Sequence, residues 1–235
     1  MSENSPSSNS TTIQTHFHII AANETEEGGW IPEPQLTEQL RVINDDFNST
    51  GISFNRTSVE RVINEEWFSN GGPETKVQDE MKQHLRKGGA SDLNVYFVDF
   101  AGDWEGLLGY STFPITYNNN SIDDGVVILY STVPGGTTSH FNLGRSLTHE
   151  VGHWLGLYHT FQNGCDNPGD YVSDTPDQAT PTTGCPSSRD TCSSEGVDPI
   201  HNFMDYSDDS CMNNFTPTQA VRIKSQIITY RNIRF

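Results

Sequence analysis

The chain has 235 residues, enough for one domain with a sizeable core or a domain divided by its own cleft, and too few for two unrelated folds. Its 31 acidic residues outweigh 13 basic ones for a formal charge of -18, so its surface repels nucleic acid phosphates and anionic lipid headgroups. No apolar run approaches the roughly 20 residues of a bilayer-spanning helix, which argues against membrane insertion and for a soluble protein.

Residues Met1 to Thr12 (MSENSPSSNSTT) lack the basic start and apolar centre of a signal peptide and are predicted to be a disordered tail ahead of a domain over 13–235. Thr15 to Ala21, with Phe17, Ile19 and Ile20, reads as a buried strand. His16 and His18 inside it read as packed or hydrogen-bonded imidazoles, because no carboxylate or helical partner accompanies them. Leu36, Leu40, Ile43 and Phe47 recur at helical spacing in Pro34 to Asn48, which Gly51 terminates. Ile52 to Ile63 is β-branched and strand-like. Val77, Met81 and Leu85 mark a helix in Glu74 to Arg86, and Asn94 to Phe100 a third strand. This β-α-β-α-β order favours parallel pairing through right-handed crossovers.

LLGYSTF and GVVILY, between Leu107 and Tyr130, are two further strand-like pieces, one of them suited to an exposed sheet edge. Beyond His159 about fifty residues of Gly, Pro, Ser, Thr, Asp and Cys are too polar to build a core. Cys165, Cys185, Cys192 and Cys211 all fall in this stretch. Their even number fits two disulfides in an oxidising compartment, three pairings are open, and the absence of a Cys-x-x-Cys pair argues against a four-thiolate zinc site. Six Asn-x-Ser/Thr sequons, at Asn9, Asn23, Asn48, Asn55, Asn119 and Asn214, suit surface loops of a secreted protein. A closing helix is signalled by Thr216 as N-cap, Pro217 in the first turn, and Val221, Ile223, Ile227 and Ile228 as its apolar face.

The chemistry concentrates in His149-Glu150-Val151-Gly152-His153-Trp154-Leu155-Gly156-Leu157-Tyr158-His159. Histidines four apart project from one helix face and can grip a zinc ion. A third ligand must come from outside the helix, and Gly156 can adopt the positive φ that swings His159 back to the metal. Three neutral imidazoles leave a coordination position for water, the mark of a catalytic zinc, and Glu150 can take that water's proton. Val151, Trp154 and Leu155 bury the opposite helix face.

The pattern HExxHxxGxxH, followed by the turn Asn202-Phe203-Met204-Asp205-Tyr206-Ser207, resembles the metzincin metalloproteases. With LLGYSTFP, DGVVI, GRSLTHEVGHWLGLYH, GDYVSDTP and NFMDYSDDSCMNNFTPTQ, it looks like the pappalysin family with its ulilysin-like and fungal secreted members. The resemblance implies an α/β metzincin fold: a twisted mixed five-stranded sheet with helices in an upper subdomain (13–159), and a loop-rich, disulfide-stapled lower one (160–235) ending in a helix. It implies a secreted zinc endopeptidase acting on protein or peptide substrates, with Glu150 as general base, Tyr206 as oxyanion donor and Met204 as the floor beneath the ligands. It further implies the bridges Cys165–Cys192 and Cys185–Cys211, calcium held by Asp166, Asp170, Asp174 and Thr175, and LLGYSTF as the edge strand that pairs with substrate. Asp208, Asp209 and Ser210 are expected near the pocket beyond the scissile bond, where a carboxylate would favour Lys or Arg. With all four cysteines in bridges, none is left to cap the zinc, and the chain reads as a mature enzyme. The rival expectations are an inactive secreted binding module that keeps its zinc, and a zinc hydrolase of small amides.

Overall fold

The computed structural model describes residues 10–166 and 168–235; the predicted tail therefore lies outside the described residues for positions 1–9. Its last two residues are not tail. Strand β1 spans Thr11–Ala21, with Thr11 and Thr12 paired to Ile52 and Ser53, so the strand begins four residues before the expected Thr15. Two β-branched threonines extend it, and the exposed Thr12 hydroxyl lies 2.9 Å from that of Ser53 across the ladder.

A five-stranded mixed sheet runs in the order β2-β1-β3-β5-β4. Strands β2 (Ile52–Ile63), β3 (Leu93–Val98) and β5 (Val126–Leu129) follow β1 in parallel, and β4 (Gly109–Ser111) closes one edge antiparallel to β5. The central strands are apolar on both faces because helices cover both. Phe17, Ile19, Val95, Phe97, Val126 and Ile128 face one core, which also takes in Leu147, Val151 and Ile223. The alternate positions Ile20, Tyr96, Val98 and Val127 face a second core with Phe68, Met81 and Leu85. His16 and His18 are packed, as expected: His16 Nδ1 lies 2.8 Å from the Ser58 hydroxyl, and His18 stacks on Tyr96 with Nε2 3.0 Å from Asn94 Oδ1.

Helix α1 (Glu33–Phe47) buries Leu36, Val42, Ile43 and Phe47, and Gly51 ends the following turn at φ 78°. A short helix α2 (Glu65–Asn70), which periodicity does not predict, is capped by the Asn64 side chain accepting from the Trp67 amide. Its six residues are too few to show a period. Helix α3 (Lys76–Leu85) starts later than expected, behind the Thr75 cap. Helix α4 (Arg145–Trp154) carries the histidine motif and α5 (Pro217–Tyr230) closes the chain behind a Thr216–Gln219 capping box.

The predicted apolar face of α5 is corrected. Ile223 and Ile227 are buried, whereas Val221 is 65% and Ile228 53% exposed. Positions 223 and 227 lie one helical turn apart, whereas 221 and 228 sit on the opposite, solvent side. The larger core joins Ile13 through Leu157 to Phe203 through Ile233, so the closing helix packs against the sheet layer. Among the described residues no helix is long and apolar enough to cross a membrane.

Candidate metal centre and active site

Helix α4 is set by its surroundings before any ligand enters. Gln39 Nε2 donates to the carbonyl of its N-cap Gly144, and the Thr148 hydroxyl donates to Asp46 Oδ2 at 2.7 Å, pinning it to α1. Val151 and Trp154 are fully buried on its core face, as is Leu155 just beyond it. His149 and His153 project from the other face.

The helix stops in a Schellman turn: the Gly156 amide donates to His153 O and the Leu157 amide to Gly152 O. Gly156 has φ 101°, and a Cβ there would come within 2.6 Å of Gln226 Cγ, so both backbone and space require glycine. The chain reverses and returns His159 to the helical pair. One ring nitrogen from each of His149, His153 and His159 lies within 4.8 Å of the others, the one such cluster of three or more His, Cys, Asp or Glu side chains among the described residues.

Two of the rings are oriented by their outer nitrogens. His149 Nδ1 donates to Phe203 O at 2.7 Å and His153 Nδ1 to Leu157 O at 2.8 Å, which leaves each Nε2 as a lone-pair donor. His159 is held by π contacts, stacked on Phe161 at 4.7 Å and edge-on to Tyr206 at 5.0 Å. Burial first, and then the neighbouring histidine, lowers all three pKa values to about 3, the neutral form a metal requires. The residues therefore fit a divalent metal such as zinc: three imidazoles converge, two of them with their tautomer fixed, and among the described residues no carboxylate or thiolate completes the set.

Glu150 sits beside the cluster and is nearly buried; desolvation pushes its carboxyl up to about 8. Gly109 of strand β4 packs on it so closely that a Cβ there would be 2.9 Å from Glu150 Cγ. Met204 is fully buried under the helix, its Sδ 2.4 Å from where a Gly152 Cβ would stand. Tyr206 is 45% exposed, with its hydroxyl 3.1 Å from His159 Nε2. Asp205, fully buried, accepts from the Tyr206 and Thr182 amides and from Gln178 Nε2, fixing the turn that presents the phenol. A 370 Å³ cavity opens beside His149 and Glu150, lined also by Leu107, Arg145, Asp209 and Met212.

The family profile for M43 peptidases, described as pregnancy-associated plasma protein-A, matches residues 90–228, more than half of the chain. The chain belongs to this family. It is a metalloendopeptidase. The peptidase is 48% identical to "Extracellular metalloprotease 1" of Coccidioides posadasii over 93% of this chain and 78% of that protein. It is 49% identical to "Extracellular metalloprotease" of Colletotrichum graminicola over 94% and 77%. Among solved structures it resembles mature mirolysin of Tannerella forsythia in complex with a cleaved peptide, with a TM-score of 0.74 and 29% identity over 94% of this chain and 93% of that one.

The peptidase's polar stretch is pinned by the disulfides Cys165–Cys192 and Cys185–Cys211, with Cα separations of 5.6 and 5.4 Å. Two of the four expected calcium donors, Asp170 and Asp174, accept hydrogen bonds from the protein. The Asp170 carboxylate accepts from the Thr175 hydroxyl and the Val172 amide, and the Asp174 carboxylate caps α5, accepting from the Thr216 hydroxyl and Thr218 amide. Asp166 is exposed and does not line the 560 Å³ cavity that Asp170, Asp174 and Thr175 share. Of the three residues expected near the pocket beyond the scissile bond, Asp209 lines the cavity beside Glu150 and accepts from the Leu143 and Arg145 amides, Asp208 pairs with His140 at 2.9 Å, and Ser210 is exposed. Sequence reasoning missed Arg145, Asp205 and Phe161, whose contacts join segments far apart in the chain.

Proposed function

We propose that this metalloendopeptidase is a secreted zinc enzyme in which His149, His153 and His159 hold the metal and Glu150 is the general base. The observation that carries the reading is the convergence of three imidazoles, two of them tautomer-fixed, beside one buried carboxylate at the mouth of a cavity. Zinc held there supplies the positive charge that polarises the scissile carbonyl, acidifies the attacking water and favours the ionised form of Glu150. The Glu150 carboxylate accepts the water's proton and returns it to the departing amine. The Tyr206 hydroxyl, exposed and close to the histidines, donates to the oxyanion as the tetrahedral centre forms. Met204 fills the space beneath Gly152 so that the helix bearing two ligands cannot sink.

An extended peptide would add to the open edge of the three-residue strand β4, antiparallel to it, beside the cavity. The cleft would then separate an upper part (13–159) from a lower part (160–235). In the cavity, Asp209 Oδ2 is engaged by backbone amides, which supports Oδ1 as the contact for a Lys or Arg side chain. Calcium in the acidic cavity of Asp170, Asp174 and Thr175 is supported by its lining alone, and calorimetric titration of the zinc-loaded enzyme with CaCl2 tests it. Secretion is supported by the names of the extracellular relatives, the two disulfides and the acidic surface.

The decisive experiment incubates the zinc-loaded protein with unfolded casein and maps the cut sites by mass spectrometry, with and without a chelator. Internal cleavage that a chelator abolishes and zinc restores is expected. Chelator-insensitive cleavage, or none, refutes the reading.

A further inference from the structure

One buried carboxylate lies between the edge strand and the histidine helix and belongs to neither. Asp124, in the turn before β5, is 1% exposed. Its Oδ1 accepts from the Thr112 hydroxyl at 3.1 Å and Arg231 Nη2 at 3.0 Å, and its Oδ2 from Trp154 Nε1 at 3.2 Å and Arg231 Nη1 at 3.1 Å. Thr112 is the first residue past β4. Trp154 is the last residue of α4 and follows the histidine at position 153. Arg231, the C-cap of α5, is fully buried; its guanidinium stacks 3.5 Å from the centre of the Trp154 ring, and its Nε donates to the Trp154 carbonyl at 2.9 Å.

Trp154 is thus held at three points: indole N–H, ring face and carbonyl. Thr112 is held at two more, since its amide donates to Gly125 O and its hydroxyl accepts from the Gly125 amide. Strand β4 also presses Gly109 against Glu150. A displacement of β4 relative to α4 therefore moves the surface against which Glu150 rests.

We propose that Asp124, with Arg231 as its counter-charge, is a positioning residue that fixes strand β4 relative to helix α4, so that peptide binding and metal holding share one buried anchor. The peptide half of this inference rests on the reading of β4 as the substrate-receiving edge; the metal half does not. A carboxylate suits the position because it accepts four donors at once, and the guanidinium balances its charge where water is excluded. The Trp154 spoke is a single hydrogen bond, whereas the Thr112 hydroxyl both donates to Asp124 and accepts from the Gly125 amide; loss of one such bond is worth about a five- to tenfold change in the property it supports.

Three substitutions separate the spokes. Thr112→Val is expected to raise KM for a peptide substrate about fivefold while kcat and zinc affinity stay within about twofold of wild type, and Thr112→Ser to restore KM. Trp154→Phe keeps an aromatic ring under Arg231 but loses the N–H donor together with part of the buried indole; it is expected to weaken zinc affinity, read by competition with a chromophoric chelator, with KM little changed. Asp124→Asn is expected to move both; should it fail to fold, the other two variants decide. Unchanged KM in Thr112→Val together with unchanged zinc affinity in Trp154→Phe overturns the proposal, as does a fall in thermal midpoint alone. Hydrogen exchange of wild type with an uncleaved peptide distinguishes the two readings. If the amides of Gly109–Ser111 gain no protection, the edge-strand reading fails and the zinc measurements alone judge Asp124.

Discussion

Replacing Gly152 by alanine sets two effects of known size against each other in the middle of the histidine helix. Alanine is a better helix former than glycine by about 1 kcal/mol, which alone would stabilise α4. The added Cβ, however, would stand 2.4 Å from Met204 Sδ and 3.2 Å from its Cε, where ordinary contact begins at 3.4 Å. Met204 is fully buried and would have to retreat by about an ångström into a packed core, an overpacking worth about 1–3 kcal/mol. Overpacking wins, by up to about 2 kcal/mol, and at about 2–4 °C per kcal/mol for a domain of this size the thermal midpoint should fall by several degrees. Zinc affinity should fall with it, because Met204 follows Phe203, whose carbonyl orients His149. Differential scanning calorimetry of the zinc-loaded variant and chelator competition measure the two. A midpoint equal to or above wild type with unchanged zinc affinity would refute the close packing of Met204 on the helix.

Glu150→Ala should keep its zinc, measured by elemental analysis, and lose about 10²–10⁴-fold in kcat; a variant of near-normal activity removes Glu150 from the mechanism. Tyr206→Phe should lower kcat about 10²-fold with little change in KM, and an unchanged kcat would leave Tyr206 a packing residue. Burial raises the Asp209 carboxyl from 3.8 to about 6, against the Leu143 and Arg145 amides and the Arg145 guanidinium, with Asp46 adding to the rise. Between those values the folded protein holds a proton that the unfolded chain has released, so this group makes stability fall as pH rises from about 4 to about 6. Asp209→Asn, which keeps an acceptor for the two amides, should flatten that slope in urea denaturation at a series of pH values, and an unaltered slope refutes the assignment.

The sequence disclosed most where the physics is local. Two histidines a helical turn apart, a glycine three residues on and a third histidine are a short-range pattern, and the Schellman turn at Gly156 forms from bonds within that segment. The central strands were legible because burial on both faces demands a continuous apolar run. Less could be read where the reason lies across the fold. Thr11 and Thr12 become strand because Ile52 and Ser53 lie beside them, and Val221 faces solvent because Ile223 and Ile227 claim the core. That Asp174 caps a helix starting more than forty residues later could not be read from its neighbours. Asp124 and Arg231 are 107 residues apart, and no spacing rule connects them.

The two bridges interlock: Cys185 lies within the loop closed by Cys165 and Cys192, and its partner Cys211 lies outside it. Neither half of the polar stretch can peel away while the other holds, and each linkage removes about 3 kcal/mol of freedom from the unfolded chain. Met212, a wall of the cavity beside Glu150, is the next residue after one of those sulfurs. In a reducing compartment both bridges would open, and the stretch that carries Met212 would lose its two covalent anchors.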